Sequence, residues 1–286
     1  MNLSLSPSDA LRLAHNSCSF EDYLSLGASL YIPASREDLV ECINGDRLRE
    51  VRSMIICTED AIADNELLKS LHHIEALLSK TIERSNLYVR PRSPHVLSEL
   101  ISMRGSEQLT GVVLPKIDER SLSEYMSILS QRPSLRVMPT IEGSIAFDQG
   151  RLNTLRGMLE RLINPIICLR IGANDLMSLL SLKRPRSLTI YETPLRSVID
   201  QLILTFRLAG YHIAAPVFDL LDHEHLLARE LERDGANGLW SKTAIHPDQV
   251  ALIESRYKVD ARDLEMAEAI LARNAPAVFR LHDQMC

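Results

Sequence analysis

Eight short runs of apolar residues recur along the chain, separated by longer segments of mixed polarity. The runs occupy residues 28–33, 53–58, 87–90, 111–116, 136–142, 166–171, 212–218 and 237–242. Most are apolar almost throughout instead of alternating, which is typical of parallel strands covered on both faces. Successive runs start 24 to 46 residues apart, enough for a strand, a helix and two loops. The pattern predicts eight strand–helix units.

The segments between the runs carry the spacing of amphipathic helices. Between residues 61 and 83, leucine and isoleucine fall on one stripe while charged residues occupy the other positions. Residues 194–208 behave likewise. The longest gap holds two helical patterns, 175–182 and 194–208, joined by the basic segment 183–193. That segment is the largest departure from a regular repeat.

Two architectures alternate strands with helices in this way, a closed barrel and a doubly wound open sheet. No glycine-rich turn follows the first run, and eight units account for the chain. The pattern therefore favours an α/β fold with a single (β/α)₈ TIM barrel over residues 28–286. Residues 1–27 are predicted to form an N-terminal extension, and the chain is predicted to end in a helix.

Composition and charge narrow the classes of protein. The 32 basic and 38 acidic residues give a net charge of -6, which does not fit a broad nucleic-acid-binding surface. No apolar run approaches the ~18 residues of a membrane span, and the N-terminus lacks a secretory pattern. The five scattered cysteines indicate neither a disulfide framework nor a zinc site. We expect a cytoplasmic protein that binds neither nucleic acid nor membranes.

Polar residues directly after the apolar runs are the candidates for chemistry, because the active site of such a barrel lies at the C-terminal ends of its strands. They are Arg36, Glu59, Asp60, Arg90, Arg92, Lys116, Glu142, Asp175, Asp219 and Lys242. Singly, each is also compatible with a solvated loop charge, and for Asp60, Asp175 and Asp219 a helix cap is an equal alternative. Together they predict one charged rim.

Two of these acids, Glu142 and Asp175, follow neighbouring strands and are the candidate metal ligands. Mg²⁺ binds through one or two carboxylates and keeps positions for water and substrate oxygens. With arginine and lysine nearby, such a site suits an anionic substrate whose carbonyl is polarised towards an enolate. The alternative is that these acids only pair with arginines.

The segment 242–249, KTAIHPDQ, is the most distinctive local motif. Lys242 is predicted to end a strand, and Pro247 to open a helix whose N-terminus can attract an anion. His246 is either a general base or a hydrogen-bonding residue that fixes the turn, and the second interpretation is favoured. The sequence contains no nucleophile elbow, zinc-protease helix or Walker loop.

In order along the chain, seven segments resemble motifs of the HpcH/HpaI aldolase and citrate lyase β-subunit superfamily. They are LYIPASREDL (30–39), TEDAIADNE (58–66), YVRPR (88–92), GVVLPKID (111–118), PTIEGSIAFD (139–148), IGANDL (171–176) and KTAIHPDQV (242–250). The resemblance covers the chain after residue 27. It implies a Mg²⁺-dependent barrel, often a homo-trimer or hexamer, that cleaves or forms a carbon–carbon bond between an acetyl thioester and a 2-oxo acid.

The resemblance also implies roles for individual residues. Glu142 and Asp175 resemble the metal-ligating carboxylates, and Arg90 resembles the arginine that binds the substrate's oxygens. Asp60 resembles a residue that orders metal-bound water. The implied reaction is a retro-Claisen cleavage of a 3-hydroxyacyl-CoA, of the citramalyl-CoA or malyl-CoA type, to acetyl-CoA and a 2-oxo acid.

Arg36 and Lys242 resemble positions that contact the phosphates of coenzyme A. Three features depart from the family's pattern. Cys57 replaces the first acid of the strand-two motif, and Arg92 replaces an asparagine, which suggests a changed or more acidic substrate. An aspartate that donates a proton in the neighbouring subunit's site is expected one position after Cys286. Two further hypotheses therefore stay open: an aldolase of free 2-oxo acids, and a metabolite-binding barrel without turnover.

Overall fold

Eight parallel strands surround the centre of the molecule in the computed structural model, which describes residues 15–45 and 48–286. They are β1 (Ala28–Pro33), β2 (Ser53–Cys57), β3 (Leu87–Arg90), β4 (Gly111–Leu114), β5 (Arg136–Ile141), β6 (Leu169–Ile171), β7 (Ile213–Ala214) and β8 (Lys242–Ala244). Neighbouring strands follow the chain order, and β8 pairs with β1. A single parallel bridge between Ala215 and Lys242 joins β7 to β8. The prediction of a (β/α)₈ barrel is confirmed.

Helices follow the strands and cover the outside of the barrel. They are α2 (Leu39–Asn44), α3 (Leu67–Leu78), α4 (Pro94–Ser102), α5 (Glu119–Leu129), α6 (Gln149–Leu159), α7 (Ala173–Leu179), α8 (Leu195–Arg207), α9 (Glu224–Ala236) and α10 (Pro247–Arg256). Of the leucine and isoleucine stripe of α3, Leu71, Ile74, Leu77 and Leu78 are buried, Leu67 is half-buried and Leu68 is exposed. None of the described helices combines the length and apolar character needed to cross a bilayer.

The described part of the N-terminal extension closes the bottom of the barrel. Inward side chains from the strands form an apolar cluster of Ile55, Tyr88, Val113, Met138, Ile167, Cys168 and Ala214. Tyr23, in the short helix α1 (Phe20–Leu24), packs into this cluster together with Leu26. The Tyr23 hydroxyl donates to the Ile213 carbonyl at 2.6 Å and accepts from the Trp240 amide at 2.7 Å. Water is thereby excluded from the N-terminal end of the interior.

The last part of the chain, residues 261–286, contains no buried side chain. Helix α11 (Ala261–Leu271) contains no buried residue. A hairpin of β9 (Arg280–Leu281) and β10 (Gln284–Met285) follows it. Apolar side chains in this segment, Leu264, Ile270, Leu271, Val278 and Met285, are exposed.

Strand eight begins at the residue where the sequence pattern placed its end. Residues 237–241 form the turn after α9, and Lys242 pairs in register with Ala28, the first residue of β1. Leu239 and Trp240 gave this turn the apolar character of a strand because they pack beneath the barrel, with Leu239 wholly buried. The prediction that Lys242 closes a strand on the charged rim is therefore wrong. It lies at the opposite, N-terminal end.

Lys242 belongs instead to a buried ion cluster outside the strands. Its Nζ donates to Glu230 Oε1 at 3.0 Å and to Asp234 Oδ2 at 2.9 Å, and all three side chains are fully buried. The second oxygen of Glu230 accepts from Arg184, while Tyr191 donates to Asp234 at 2.6 Å. Because Arg184 and Tyr191 lie in the basic segment 183–193, the cluster fixes that segment to α9.

We predict that Lys242→Met strongly destabilises the fold. Removing the ammonium leaves Glu230 and Asp234 buried with too little positive charge, which costs about 3–5 kcal/mol of unfolding free energy. Urea denaturation at pH 7 measures the loss. Lys69→Met is the control, because the Lys69 ammonium pairs with Glu37 at the surface, and we expect no measurable change. Wild-type stability of Lys242→Met would contradict the structural role.

Candidate active site

A cavity of about 280 Å³ opens at the C-terminal ends of the strands, where the charged rim is predicted. Its walls include Tyr31, Arg90, Thr140, Glu142, Arg170 and Asp175. A larger groove of about 610 Å³ lies elsewhere, beside the N-terminal ends of β2 and β3. Arg84 in that groove is already committed to the carbonyls of Ile43, Leu48 and Val51. The cavity at the C-terminal ends is therefore the candidate active site.

Strand alternation directs the cavity residues inward. Residues two apart on one strand point to the same face, so Tyr88 and Arg90 share the inner face of β3. Met138, Thr140 and Glu142 are related in the same way along β5. Tyr88 and Met138, nearer the N-terminal ends of their strands, belong to the apolar interior, whereas the inward residues nearer the C-terminal ends are polar. The charged mouth thus rests on a dry, rigid layer.

Glu142 is the most constrained acid of the site. It is 3% exposed, and its Oε1 accepts from Arg90 Nη2 at 2.9 Å and from the Lys116 amide at 2.7 Å. Lys116 has a φ of 47°, a left-handed conformation that is uncommon outside glycine and that accompanies its amide contact with Glu142. Burial raises the pKa of Glu142 to about 7, although Arg90 opposes the rise and the nearby Asp175 charge adds to it.

Gly172 provides the space that the Glu142 carboxylate occupies. A Cβ atom at residue 172 would lie 2.2 Å from Glu142 Oε2. The φ of Gly172 is -84°, so glycine is required for space and not for backbone conformation. Asp175 stands three residues later, in the first turn of α7, and also lines the cavity. The glycine therefore brings the two predicted metal ligands to the same wall.

Arg90 connects Glu142 to the acids that follow β2. Its Nη2 lies 2.6 Å from Glu59 Oε2 and 3.2 Å from Asp60 Oδ2. Lys116 Nζ donates to Asp60 at 3.0 Å and also pairs with Glu59. These contacts leave two buried polar atoms, Arg90 Nε and Thr140 Oγ1, without a partner among the described residues. Both residues line the cavity, and the two unpaired atoms are themselves buried.

Other predicted rim residues have different roles. Arg92 donates to the carbonyls of Thr58, Glu59 and Ile62 at 2.7 to 3.1 Å, so its guanidinium fixes the loop that carries Glu59 and Asp60. It does not line the cavity, and the interpretation that it adds positive charge towards the substrate finds no contact to support it.

Arg36 lies in the loop after β1 and forms a two-pronged ion pair with Asp38, at 2.8 and 2.6 Å. Asp219 lies 3.7 Å from Arg184. His246 accepts from the Asp248 amide at 3.3 Å and caps α10, as the interpretation of a turn-fixing residue predicts. None of the helices next to Asp60, Asp175 or Asp219 is capped by those acids.

The cavity residues that sequence reasoning missed include Tyr31 and Arg170. Arg170 is 3% exposed inside β6. The sequence contained a signal for Arg170, because it is the charged residue of the apolar run 166–171. It is also two positions from Cys168 and from Gly172, so all three point to the inside of the barrel. The prediction that polar residues follow the strands did not consider polar residues within them. Cys57 also lines the cavity, and burial raises the pKa of its thiol.

The pair of Glu142 and Asp175 fits a hard divalent cation. Glu142 Oε2 and the Asp175 carboxylate receive no hydrogen bond from the residues that the structure describes. Those residues include no cluster of three or more histidine, cysteine or acidic side chains suited to a metal. A two-carboxylate site is compatible with Mg²⁺, which keeps several waters, and incompatible with structural zinc.

Comparison with known proteins decides the family. Residues 21–286 match the family model described as C-C bond lyase of the TIM-barrel fold. The chain belongs to this C-C bond lyase family. The resemblance inferred from the sequence motifs is confirmed, and so is the prediction that the protein is a carbon–carbon lyase.

More distant likenesses agree with the C-C bond lyase fold. Two curated (3S)-malyl-CoA thioesterases of Cereibacter sphaeroides strains are 24% and 25% identical over 252 and 254 residues, 85% of this chain and 81% of each relative. CitE of Mycobacterium tuberculosis, solved with magnesium, acetoacetate and coenzyme A, is 20% identical with a TM-score of 0.67, covering 91% of this chain and 92% of CitE. RipC of Yersinia pestis is 19% identical with a TM-score of 0.62, covering 85% and 99%.

We predict that Gly172→Ala displaces Glu142 from the site. The added methyl group cannot coexist with the carboxylate at 2.2 Å, so Glu142 must release Arg90 or the Lys116 amide, at a cost of about 1–3 kcal/mol in unfolding free energy. Urea denaturation and a crystal structure of the variant measure both effects.

The matched control is Gly157→Ala on α6, where nothing lies within 4 Å of the added atom. There, alanine should raise stability by about 0.5–1 kcal/mol because it favours the helix. An unmoved Glu142 in Gly172→Ala would contradict the proposed packing.

Proposed function

We propose that this chain is a Mg²⁺-dependent lyase that performs a retro-Claisen cleavage of a 3-hydroxyacyl-CoA, of the citramalyl-CoA or malyl-CoA type, to acetyl-CoA and a 2-oxo acid. The observation that carries the proposal is the pairing of Glu142 and Asp175 on one cavity wall beside Arg90. Each acid has carboxylate oxygen free of protein hydrogen bonds within the described residues.

Glu142 and Asp175 are the residues that would hold the cation. When bound, Mg²⁺ supplies positive charge that polarises the oxo group of the substrate and offsets the repulsion between the two carboxylates. The magnesium present in the solved CitE complex supports this assignment. Gly172 contributes by having no side chain where the Glu142 carboxylate lies.

Arg90 would bind the carboxylate of the 2-oxo acid. Its guanidinium is held by Glu59, Asp60 and Glu142, so it is oriented before a ligand arrives, and its buried Nε still lacks a partner among the described residues. Preorganised donors of this kind stabilise charge on substrate oxygens at little reorganisation cost. Asp60, at the exposed side of the cluster, would order water at the cavity mouth.

Cleavage moves electrons in one direction. The 3-hydroxyl group would pass its proton to water at the cavity mouth, its oxygen would become the oxo group of the leaving acid, and the carbon–carbon bond would break. The bonding pair passes to the thioester as an enolate, which then takes up a proton to give acetyl-CoA. Arg90 would hold the carboxylate of the departing acid, whose charge is the same before and after cleavage, and would stabilise the negative charge that develops on the neighbouring hydroxyl oxygen as its proton leaves.

Coenzyme A would reach the cavity from the rim. Arg36 lies in an exposed loop after β1, with 42% of its side chain accessible, and would exchange Asp38 for a phosphate group. Coenzyme A in the solved CitE complex supports a thioester substrate. Lys242 has no part in this proposal because it is buried at the other end of the barrel.

A homo-oligomer, a trimer or a hexamer, is also part of the proposal. The C-terminal segment from α11 onwards has apolar side chains that the barrel of its own chain does not bury. A second copy of the chain is the partner we propose for this surface, because sustained exposure of apolar residues is unfavourable in water.

We predict that the protein with Mg²⁺ releases pyruvate from citramalyl-CoA or glyoxylate from malyl-CoA, together with acetyl-CoA. Removal of the metal with EDTA should abolish the reaction. Glu142→Gln and Asp175→Asn should each lower kcat/KM about 10²-fold or more, because each removes a charge that the site needs. Glu124→Gln on the exposed face of α5 is the control and should leave the rate unchanged.

The products separate this proposal from the other hypotheses. Free coenzyme A with an intact hydroxy acid would indicate thioester hydrolysis, the second candidate, which the names of the Cereibacter relatives favour. Cleavage or formation of free 2-oxo acids without coenzyme A would indicate an aldolase. Ligand binding without any product would indicate a barrel without turnover, and each of these results would contradict the lyase reaction.

A further inference from the structure

Arg170 is a positive charge buried in the floor of the candidate active site. It occupies the inward position of β6 between Cys168 and Gly172, pairs in register with Thr140 of β5, and is 3% exposed. The inward positions beneath it are apolar. Its side chain nevertheless lines the cavity that contains Glu142 and Asp175. The guanidinium is therefore accessible from the substrate side and from no other direction.

The contacts of Arg170 do not balance its charge. Nη2 donates to the Thr243 hydroxyl, and Nη1 lies 3.6 Å from Met138 Sδ. Its Cζ lies 5.6 Å from the centre of the Tyr31 ring. No described acid forms an ion pair with it, whereas the buried Arg90 and Arg184 both contact carboxylates.

A buried guanidinium without a counter-ion is costly, because its hydration is lost and no opposite charge replaces it. A neutral hydroxyl, a thioether and a ring compensate for this only in part. The arrangement is stabilised when an anion enters the cavity. Arg170 thus has the environment of a ligand-binding residue and not that of a structural ion pair.

Arg170 and Arg90 are two separate guanidiniums in the same cavity, so each can bind its own anionic group of a ligand. The Tyr31 ring is near both guanidiniums, 6.0 Å from Arg90 Cζ and 5.6 Å from Arg170 Cζ. Arg90 is already shared among three carboxylates, whereas Arg170 is shared with none of the described residues. A small molecule with two acidic ends is the ligand that satisfies both.

We propose that Arg170 is a specificity-determining residue that binds a second anionic group on the 2-oxo acid portion of the substrate. This inference rests on the proposed lyase function, which assigns the first carboxylate and the oxo group to Arg90, Glu142 and Asp175. It extends the candidate substrates from the citramalyl-CoA and malyl-CoA types to thioesters whose cleavage releases a 2-oxo acid with a further carboxylate or phosphonate group. Pyruvate and glyoxylate lack such a group and bind without using Arg170.

The test is a binding measurement that needs no turnover. Isothermal titration calorimetry with Mg²⁺ present compares oxaloacetate and 2-oxoglutarate with their neutral-ended counterparts 2-oxopentanoate and 2-oxohexanoate, and includes phosphonopyruvate as the phosphonate arm. We expect the doubly anionic acids to bind at least about tenfold more tightly, as a charged hydrogen bond implies. If a dicarboxylate binds more tightly than phosphonopyruvate, the preferred anion is a carboxylate. If phosphonopyruvate binds more tightly, the preferred anion is a phosphonate.

Variants assign that preference to Arg170. Arg170→Met should bring the two classes of ligand to similar affinity, and Arg170→Lys should restore part of the preference. Arg156→Met is the control, because Arg156 lies on α6 and pairs with Glu160 at the surface. If Arg170→Met does not fold, the wild-type comparison and Arg170→Lys still decide.

Equal affinity of wild-type protein for charged and neutral-ended acids would overturn the inference, and so would a preference that persists in Arg170→Met. Failure of the lyase proposal gives a different result. In that case no 2-oxo acid, singly or doubly charged, binds in a Mg²⁺-dependent manner. Binding of pyruvate without the preference therefore refutes the role of Arg170 alone.

Discussion

The contact between Glu142 and Arg90 joins the two halves of the candidate site. Glu142 brings a nearly inaccessible carboxylate from the end of β5, and Arg90 brings a guanidinium from the end of β3 that also holds Glu59 and Asp60. Burial alone would favour a neutral Glu142, which is why its pKa rises to about 7 despite the arginine. The carboxylate keeps one oxygen without a protein donor among the described residues, and the missing side chain of Gly172 makes room for the carboxylate. A cation at that oxygen would offset the negative charges of Glu142 and Asp175, for which the protein supplies too few positive partners.

Stability and chemistry are placed at opposite ends of the barrel. At the N-terminal end, Tyr23 fills the interior and Lys242 pairs with Glu230 and Asp234, while Arg184 of segment 183–193 pairs with the other oxygen of Glu230. At the C-terminal end, neither Arg170 nor Asp175 forms an ion pair with any of the described residues. Side chains that satisfy each other rigidify a fold, whereas those left unsatisfied in a cavity are suited to a ligand. This contrast separates the structural lysine from the candidate functional arginine.

Strand spacing and residue type were sufficient to predict the barrel and the grouping of Arg90, Glu142 and Asp175 at one end, because inward alternation and strand order determine where such side chains meet. They were insufficient for Lys242. The apolar pair Leu239 and Trp240 packs below the barrel as a turn, and local hydrophobicity does not distinguish that burial from a strand. The role of Arg92 was equally hidden, since its partners are backbone carbonyls whose positions arise only in the folded loop.

The central claim is that Glu142 and Asp175 bind one divalent cation beside Arg90. Crystals soaked with Mn²⁺ and pyruvate test it directly, because anomalous scattering locates the metal independently of activity. We expect one anomalous peak about 2 Å from an oxygen of each carboxylate, with the carboxylate of pyruvate against Arg90. Well-ordered crystals without a peak between the two acids, or with the ion held by Glu59 and Asp60 instead, would contradict it.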